Sequence, residues 1–445
     1  MKQRLQASLA VGLALVLSVL MIFGNPELTY AATVEVEAES AILVDAETGK
    51  ILFEKEADLT LPPASMTKMM TEYLVLEAIE KGEISWDTTT QISDYPYSIS
   101  ADPSFSGVGL TQNQDYTVRE LYEAMAINSD NATTIALAEL IAGSEGAFVK
   151  MMNEKAAELG LSDYQFVNST GLSNSSLGEN YPEGTEPNAT NLLSARSAAM
   201  LAYHLVNDYP EALEFSSVTT TEFDGQQIKN WNWMLPNMPG YLEAFGYEGM
   251  EGLKTGFTDF AGYCFTATAE RDGQRLISVV MKTDSIEARF QETRKLLDYG
   301  FKQFELKELF PAGYQIEGES EVPVAKGKEG TVGIEAAEAI TTPVKNGEED
   351  MYEVKYNISE KHLDKDGNLT APIKKGEKIG TVELVYNGEG TYKNLVTGET
   401  QKTTVDLVTT SAVEKSNWFM LMVGGVGNFF SDIFTSAVDM VKGWF

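Results

Sequence analysis

The 445-residue chain holds a single cysteine, Cys264, and only two histidines, His204 and His362. One cysteine excludes an internal disulfide and any cysteine-rich metal cluster. The histidines lie far apart and no His-Glu-x-x-His spacing occurs, so neither a metal nor another cofactor is expected. A Ser-His-Asp hydrolase would need one of the two, and neither stands in such a motif. Positive charge is also scarce: 33 basic residues against 66 acidic ones leave a net charge of -33. So negative a surface repels phosphate backbones and argues against nucleic acid as a partner.

What is present falls into four stretches. Lys2 and Arg4 precede an apolar run from Ala7 to Gly24, Asn25-Pro26 breaks it, and Thr29-Tyr30-Ala31 offers small residues for cleavage. Residues 1–31 therefore read as an export signal, an uncleaved anchor being the rival because the run is near spanning length. The protein is expected to be exported and to work at the outer face of the cytoplasmic membrane.

Residues 32–306 alternate strand and helix signals. Ala41 to Lys55 carries two apolar runs around Asp45-Ala-Glu-Thr-Gly49, a hairpin pattern. Pro62 and Pro63 predict an extended approach to a helix that Gly82 ends. Helical spacing returns at Thr117 to Ile127, Ala132 to Ala142, Glu145 to Gly160 and Ser194 to Val206. Two strands flank the tight-turn sequence Arg271-Asp272-Gly273, and Ile286 to Phe304 closes as one helix. This order describes an α+β layer sandwich whose first and last elements share a sheet. Residues 307–410 change character: short alternating runs such as Tyr352/Val354/Tyr356/Ile358 and Val405/Leu407, with turns such as Asn346-Gly347, predict a small all-β domain.

In residues 411–445, Asn428, Asp432, Thr435, Asp439 and Lys442 trace a narrow polar stripe through an otherwise apolar tail with Trp418 and Trp444 near its ends. A C-terminal amphipathic helix lying on a membrane surface is expected, in preference to one docked on a domain.

Chemistry enters at "ASMTK", the only Ser-x-x-Lys in the chain. Without a usable histidine, a serine hydrolase needs another base, and a lysine serves when burial and neighbouring positive charge lower its pKa. Three residues apart at a helix start, Ser65 and Lys68 can bring their side-chain tips together, and the free N–H groups there favour an oxyanion. Ser129-Asp130-Asn131 follows between two helices, and Lys254-Thr255-Gly256 just before the antiparallel strands. Alone each tripeptide reads as a turn or a strand end; in this order the three motifs form a strong signal.

The chain resembles the penicillin-recognising serine enzymes, with a β-lactamase-like sandwich built on an antiparallel sheet, and more closely the low-molecular-mass penicillin-binding proteins, serine-type D-alanyl-D-alanine carboxypeptidases. The likeness extends to "FVNSTGLSN" from Phe166, "LLDYGF" from Leu296, the all-β domain and the tail. It implies a peptidoglycan stem pentapeptide as substrate and β-lactam antibiotics as inhibitors. It also implies Ser65 as nucleophile, Lys68 as proton acceptor, Ser129 as relay to the leaving D-alanine and Asn131 as orienter of the substrate amide. Lys254 would supply positive field, Thr255, in the motif that Gly256 completes, would bind the terminal carboxylate, and the amides of Ser65 and Phe257 would form the oxyanion hole. Phe257 is a departure, since relatives often carry a smaller or polar residue there. Cys264 and His204 read as structural. The alternatives are a β-lactamase, disfavoured because no Glu-x-x-Leu-Asn occurs, a D,D-endopeptidase on cross-links, and a catalytically silent wall-binding scaffold, disfavoured because Ser65 and Lys68 are both present.

Overall fold

A computed structural model describes residues 34–416. The export signal and nearly all of the tail lie outside the described residues. The first hairpin forms as its residues predict, β1 (Ser40–Asp45) returning as β2 (Ile51–Lys55). All of β1 is buried, which requires cover on both faces of the strand.

The longer helices that follow are α1 (Lys68–Glu80), α2 (Val118–Asn128), α3 (Asn131–Ala142) and α4 (Glu145–Glu158), with α5 (Ala195–Asp208) after a long loop. The starts of α2 to α5 are fixed by side-chain caps. Thr117 and Glu120 form a reciprocal capping box on α2, and Asp130, Ser144 and Ser194 accept from the first turns of α3, α4 and α5. Helix α1 is buried on nearly every side, including Met69, Met70, Leu74, Val75 and Leu76, so it runs through the core rather than over it. Each such side chain contributes about 1.5–3 kcal/mol. That burial also encloses Lys68 and Glu72 on the same helix.

Three long strands complete the sheet: β3 (Met250–Thr258), β4 (Gly262–Arg271) and β5 (Gln274–Thr283). The order is β2-β1-β5-β4-β3, antiparallel throughout, with Ile42 opposite Val279. The first and last strands thus share a sheet. Helix α6 (Ile286–Gln303) packs on β4 and β5, and α5 packs on β1 and β5. One expectation is corrected: Lys254-Thr255-Gly256 lies inside β3, not ahead of the strands. Met250–Thr258 carries two glycines and two charges, a poor strand signal on its own; pairing with β4 makes it one.

The all-β region has its own core of Val322, Ile334, Ile340, Val382 and Leu407 among others. Strands β6 (Phe304–Phe310) and β9 (Ile340–Lys345) pair as a ribbon. The others are β7 (Glu321–Ala325), β8 (Thr331–Ala336), β10 (Tyr352–Ile358), β11 (Leu369–Thr370), β12 (Lys378–Tyr386) and β13 (Thr403–Thr409). They form a six-stranded sheet in the order β10-β12-β13-β8-β7-β11. Bridges from Val413 to Ile373 and from Lys415 to Gly327 carry the module past residue 410, the boundary expected from sequence.

Residues 391–401 reach from this module back to the first hairpin. Ile51 N donates to Lys393 O at 2.9 Å and Leu395 N to Gly49 O at 2.7 Å, while the Leu395 side chain, 2% exposed, enters the catalytic domain's core. Lys50, 1% exposed, reaches the other way: Nζ donates to Pro343 O (2.6 Å) and Tyr352 Oη (3.0 Å) and lies 3.8 Å from the Tyr392 ring centre. Burial lowers this ammonium to about 8.

Candidate active site

The Ser65 turn is tighter than sequence suggests. Pro63 is in the right-handed helical region (φ -82°, ψ -11°) rather than extended, Ala64 is left-handed at φ +49°, and Ala64–Thr67 form a 3-10 turn that runs into α1. Residues three apart eclipse in such a turn, which stacks Lys68 over Ser65. A non-glycine left-handed residue costs roughly 1–3 kcal/mol and persists only where its surroundings impose it. Here two glycines press on the turn. A Cβ on Gly171 would lie 1.9 Å from Ala64 O, and one on Gly256 2.4 Å from Pro63 O, so backbone meets backbone at the two residues just ahead of the serine.

Lys68 is fully buried and its Nζ has three neighbours: Ser65 Oγ at 3.1 Å, Asn131 Oδ1 at 2.8 Å and Thr170 O at 2.9 Å. Two of these can only accept. As an ammonium Lys68 donates to all three; as a neutral amine, with two N–H bonds and one lone pair, it can donate to Asn131 and Thr170 and turn its lone pair to the Ser65 hydroxyl. Burial drives the Lys68 pKa far below its ordinary value, and the charge of Lys254 pushes it the same way; Asp130, Glu72 and Glu145 oppose.

The second wall is the α2–α3 junction. Ser129 ends α2 in the left-handed region at φ +63°, and Asn131 begins α3. Ser129 Oγ is buried and has no hydrogen-bond partner among the described residues. Asn131 is held at both ends, its Oδ1 by Lys68 and its Nδ2 donating to Ser106 O at 3.1 Å. Asp130 faces away: it accepts from Thr133 N and Val108 N, both at 2.6 Å, and so caps α3 and pins the 106–108 loop. The motif's middle residue is scaffolding.

Strand β3 is the third wall. Thr255 and Lys254 are buried, and Lys254 Nζ has only a 3.3 Å contact with Thr255 O. Burial lowers its pKa, with the Glu72 carboxylate opposing. Phe257 is half exposed and stacks on Tyr263 at 4.3 Å, which leaves its backbone beside the Ser65 turn through the Gly256 contact. A cleft of about 910 Å³ opens between the walls, lined by Ser65, Ser129, Asn131, Thr255, Gly256 and Phe257 among others. The structure thus gathers every residue singled out from sequence, Lys68 and Lys254 standing buried behind the lining. Cys264 is buried on β4, where desolvation lifts the thiol to about 11. His204 lies on α5 with Asp208 Oδ2 3.3 Å from its Nδ1.

One residue of this cleft escaped the sequence reading. Arg289 on α6 lines it, is 3% exposed, and donates from Nη1 to Gly256 O at 3.3 Å, while its Nε has no partner. Among the described residues no carboxylate pairs with it, and burial lowers its pKa to about 10. A buried guanidinium facing a cleft beside Thr255 is built to receive an anion. Its only signal in the sequence is an arginine inside the apolar stripe of Ile286, Phe290 and Leu297. Among the described residues no cluster of His, Cys, Asp or Glu is arranged to hold a metal ion.

Comparisons with known proteins bear on this cleft. The family described as "D-alanyl-D-alanine carboxypeptidase" matches residues 27–285, and "Penicillin-binding protein 5, C-terminal domain" matches residues 304–415. The chain is 34% identical over 387 residues to D-alanyl-D-alanine carboxypeptidase DacF of Bacillus subtilis, covering 87% of this chain and 91% of that protein. Among solved structures it is similar to a peptidoglycan synthesis regulatory factor (PBP3) of Streptococcus pneumoniae, 36% identical with a TM-score of 0.71 over 85% of this chain and 99% of that one. Penicillin-binding protein D2 of Listeria monocytogenes, in its ampicillin-bound form, is 34% identical with a TM-score of 0.51, over 61% of this chain and all of that one.

Proposed function

The chain belongs to the D-alanyl-D-alanine carboxypeptidase family, and from that premise we propose that it is a serine enzyme with Ser65 as its nucleophile. It is a penicillin-binding peptidase of cell-wall metabolism. The observation that carries the serine mechanism is the buried Lys68 Nζ, 3.1 Å from Ser65 Oγ and tied to two acceptors that, in its neutral form, leave one lone pair for that hydroxyl. Nothing in the cleft favours the other readings, and B. subtilis DacF, which spans most of the chain, is a carboxypeptidase.

In the reaction so assigned, Ser65 Oγ attacks the carbonyl carbon of the penultimate D-alanine as its proton passes to Lys68. The oxyanion forms toward the amides of Ser65 and Phe257, held in place because Gly256 on β3 and Gly171 on the neighbouring loop pack against the turn. As the C–N bond breaks, the proton moves through Ser129 Oγ, the hydroxyl without a partner among the described residues, to the leaving amine. Water then attacks the ester and gives one proton to Lys68, and as the ester C–O bond breaks that proton restores the Ser65 hydroxyl. The terminal carboxylate lies toward Thr255 and Arg289, with Lys254 adding positive field from behind. An anion there gives Arg289 the partner it lacks. A β-lactam follows the same first step and leaves a slow ester, in line with the ampicillin-bound Listeria relative.

The signal pattern of residues 1–31 and the apolar tail support export and anchoring at the outer face of the membrane. Because Ser416 N still donates to Lys326 O at 2.8 Å, a chain cut just after Ser416 keeps its module and should be active and free of membranes; sedimentation with membranes would place the anchor elsewhere. The test of mechanism is twofold. Penicillin should leave its adduct on the peptide holding Ser65, and a pentapeptide ending in D-Ala-D-Ala should release D-alanine. An adduct on any other residue would remove Ser65 from the role.

A further inference from the structure

Thr170 O is one of the two acceptors that fix Lys68, yet it belongs to a loop with no regular secondary structure. Something must set its position. The loop's internal support is Asn168, fully buried, whose Oδ1 accepts from Thr170 N (3.2 Å), Thr170 Oγ1 (3.1 Å) and Gly171 N (2.8 Å). Such a ring orders the loop but does not tie it to the serine. That tie is Asn191. Its Oδ1 accepts from Val167 N (2.6 Å) and Asn168 N (3.1 Å), and its Nδ2 donates to Asn168 O (3.0 Å) and to Thr67 Oγ1 (3.0 Å). Thr67 is two residues after Ser65 and one before Lys68. Two residues on, Leu193 pairs with Leu61 through both backbone bonds, each 2.9 Å, just ahead of the prolines. The segment 191–193 therefore grips the serine turn from both flanks, and Asn191 is where the grip meets the loop that holds Lys68.

We propose that Asn191 is a positioning residue of the reaction: through Thr67 on one side and residues 167–168 on the other, it sets the register between Ser65-Lys68 and the Thr170 carbonyl. The inference rests on the serine reading above. Asn191 is fully buried, so it acts only through these bonds. Every donor and acceptor of its amide has a partner, and an alanine there leaves those four partner atoms without it and loosens the loop from the turn, with the Thr71 Oγ1–Ser169 O bond, beside that of Lys68 itself, still joining loop to α1.

The experiment measures the acylation rate by a chromogenic cephalosporin as a function of pH, per active site titrated with excess penicillin. Normalising to titrated sites removes any loss of folded protein. In Asn191→Ala the rate per site should fall about 10²-fold, the scale of an ångström misplacement. Its acid inflection should move to lower pH, because a carbonyl acceptor stabilises the ammonium more than the amine and its withdrawal lowers the Lys68 pKa. The charged groups around Lys68 are Lys254 on β3, Asp130 at the start of α3, Glu72 on α1 and Glu145 on α4, and all remain in the variant. Thr67→Val tests the same link from the serine side without touching the loop, so the proposal stands or falls even where Asn191→Ala does not fold. It should lose about tenfold, and the double variant should be no worse than Asn191→Ala alone. An unchanged rate per site with an unchanged inflection, or additive losses in the double variant, would overturn the proposal and leave Asn191 a structural residue. A parent protein that takes no label would overturn the serine reading as well.

Discussion

Replacing Lys68 separates its roles as base, as cation and as packing. In Lys68→Ala, Asn131 Oδ1 and Thr170 O each lose a donor, a cost of about 1–3 kcal/mol apiece. Against this, a fully buried amine that the fold had to desolvate is gone, which offsets much of that cost. The variant should therefore fold, with stability within about 2 kcal/mol of the parent. Acylation should not survive so well: loss of a positioned general base costs about 10²–10⁴-fold. Lys68→Arg sharpens the test. A guanidinium keeps the positive charge and can still donate to Asn131 and Thr170, but it cannot accept the serine proton at any accessible pH. If Lys68 served only as a cation, the arginine would restore function; if it is the base, arginine should be as inactive as alanine. Labelling time courses with a fluorescent penicillin, alongside urea unfolding of the same samples, decide it. Labelling within threefold of the parent in either folded variant would remove Lys68 from proton transfer.

Three further outcomes follow from the same geometry. Arg289→Ala should lower D-alanine release about 10–100-fold, the worth of a hydrogen bond to a charged group, while a substrate with an amidated C-terminus should be indifferent to the change; equal losses on both would deny Arg289 the carboxylate. Lys50 should leave a pH signature: between pH 8 and 10.5 the unfolded chain still holds a proton that the folded chain has released, so stability rises with pH across that window, by about 3 kcal/mol for a fall from 10.5 to about 8. Urea unfolding of the parent against Lys50→Met should show that rise in the parent alone, and parallel pH profiles would refute it. Leu395→Ala should destabilise the protein by about 2–5 kcal/mol, since the side chain is buried in the other domain's core; a loss under 0.5 kcal/mol would mean the arm is merely draped.

The sequence showed the reaction more plainly than the walls that support it. Ser65, Lys68, Ser129, Asn131 and Lys254-Thr255-Gly256 stand in short motifs whose residue types already state a chemistry. The first hairpin, the capped helices and β4–β5 were legible from apolar periodicity and turn residues. Strand β3 was not, because its glycines and charges mask a partner-imposed strand. Arg289 was hidden because an arginine on a helix reads as a surface residue until the helix is seen to seal a cleft. Asn191 and the arm carrying Leu395 were hidden for a similar reason. Asn191 acts across 124 positions, to Thr67, and the arm bonds to the first hairpin from residues 391–401, and no local pattern announces contacts at that range.

Gly171 and Gly256 bear on how this protein can change under an antibiotic. Any side chain at either position would intrude on Ala64 or Pro63 and shift the serine itself. Selection for a cleft that a drug no longer fits therefore finds no tolerated step at its floor. Heritable escape has to be written at the rim, where Trp231, Phe257 and Phe260 stand about half or more exposed and can be exchanged without disturbing the turn beneath. Lineages of this enzyme under such pressure should diverge at those three aromatics while the two glycines stay fixed.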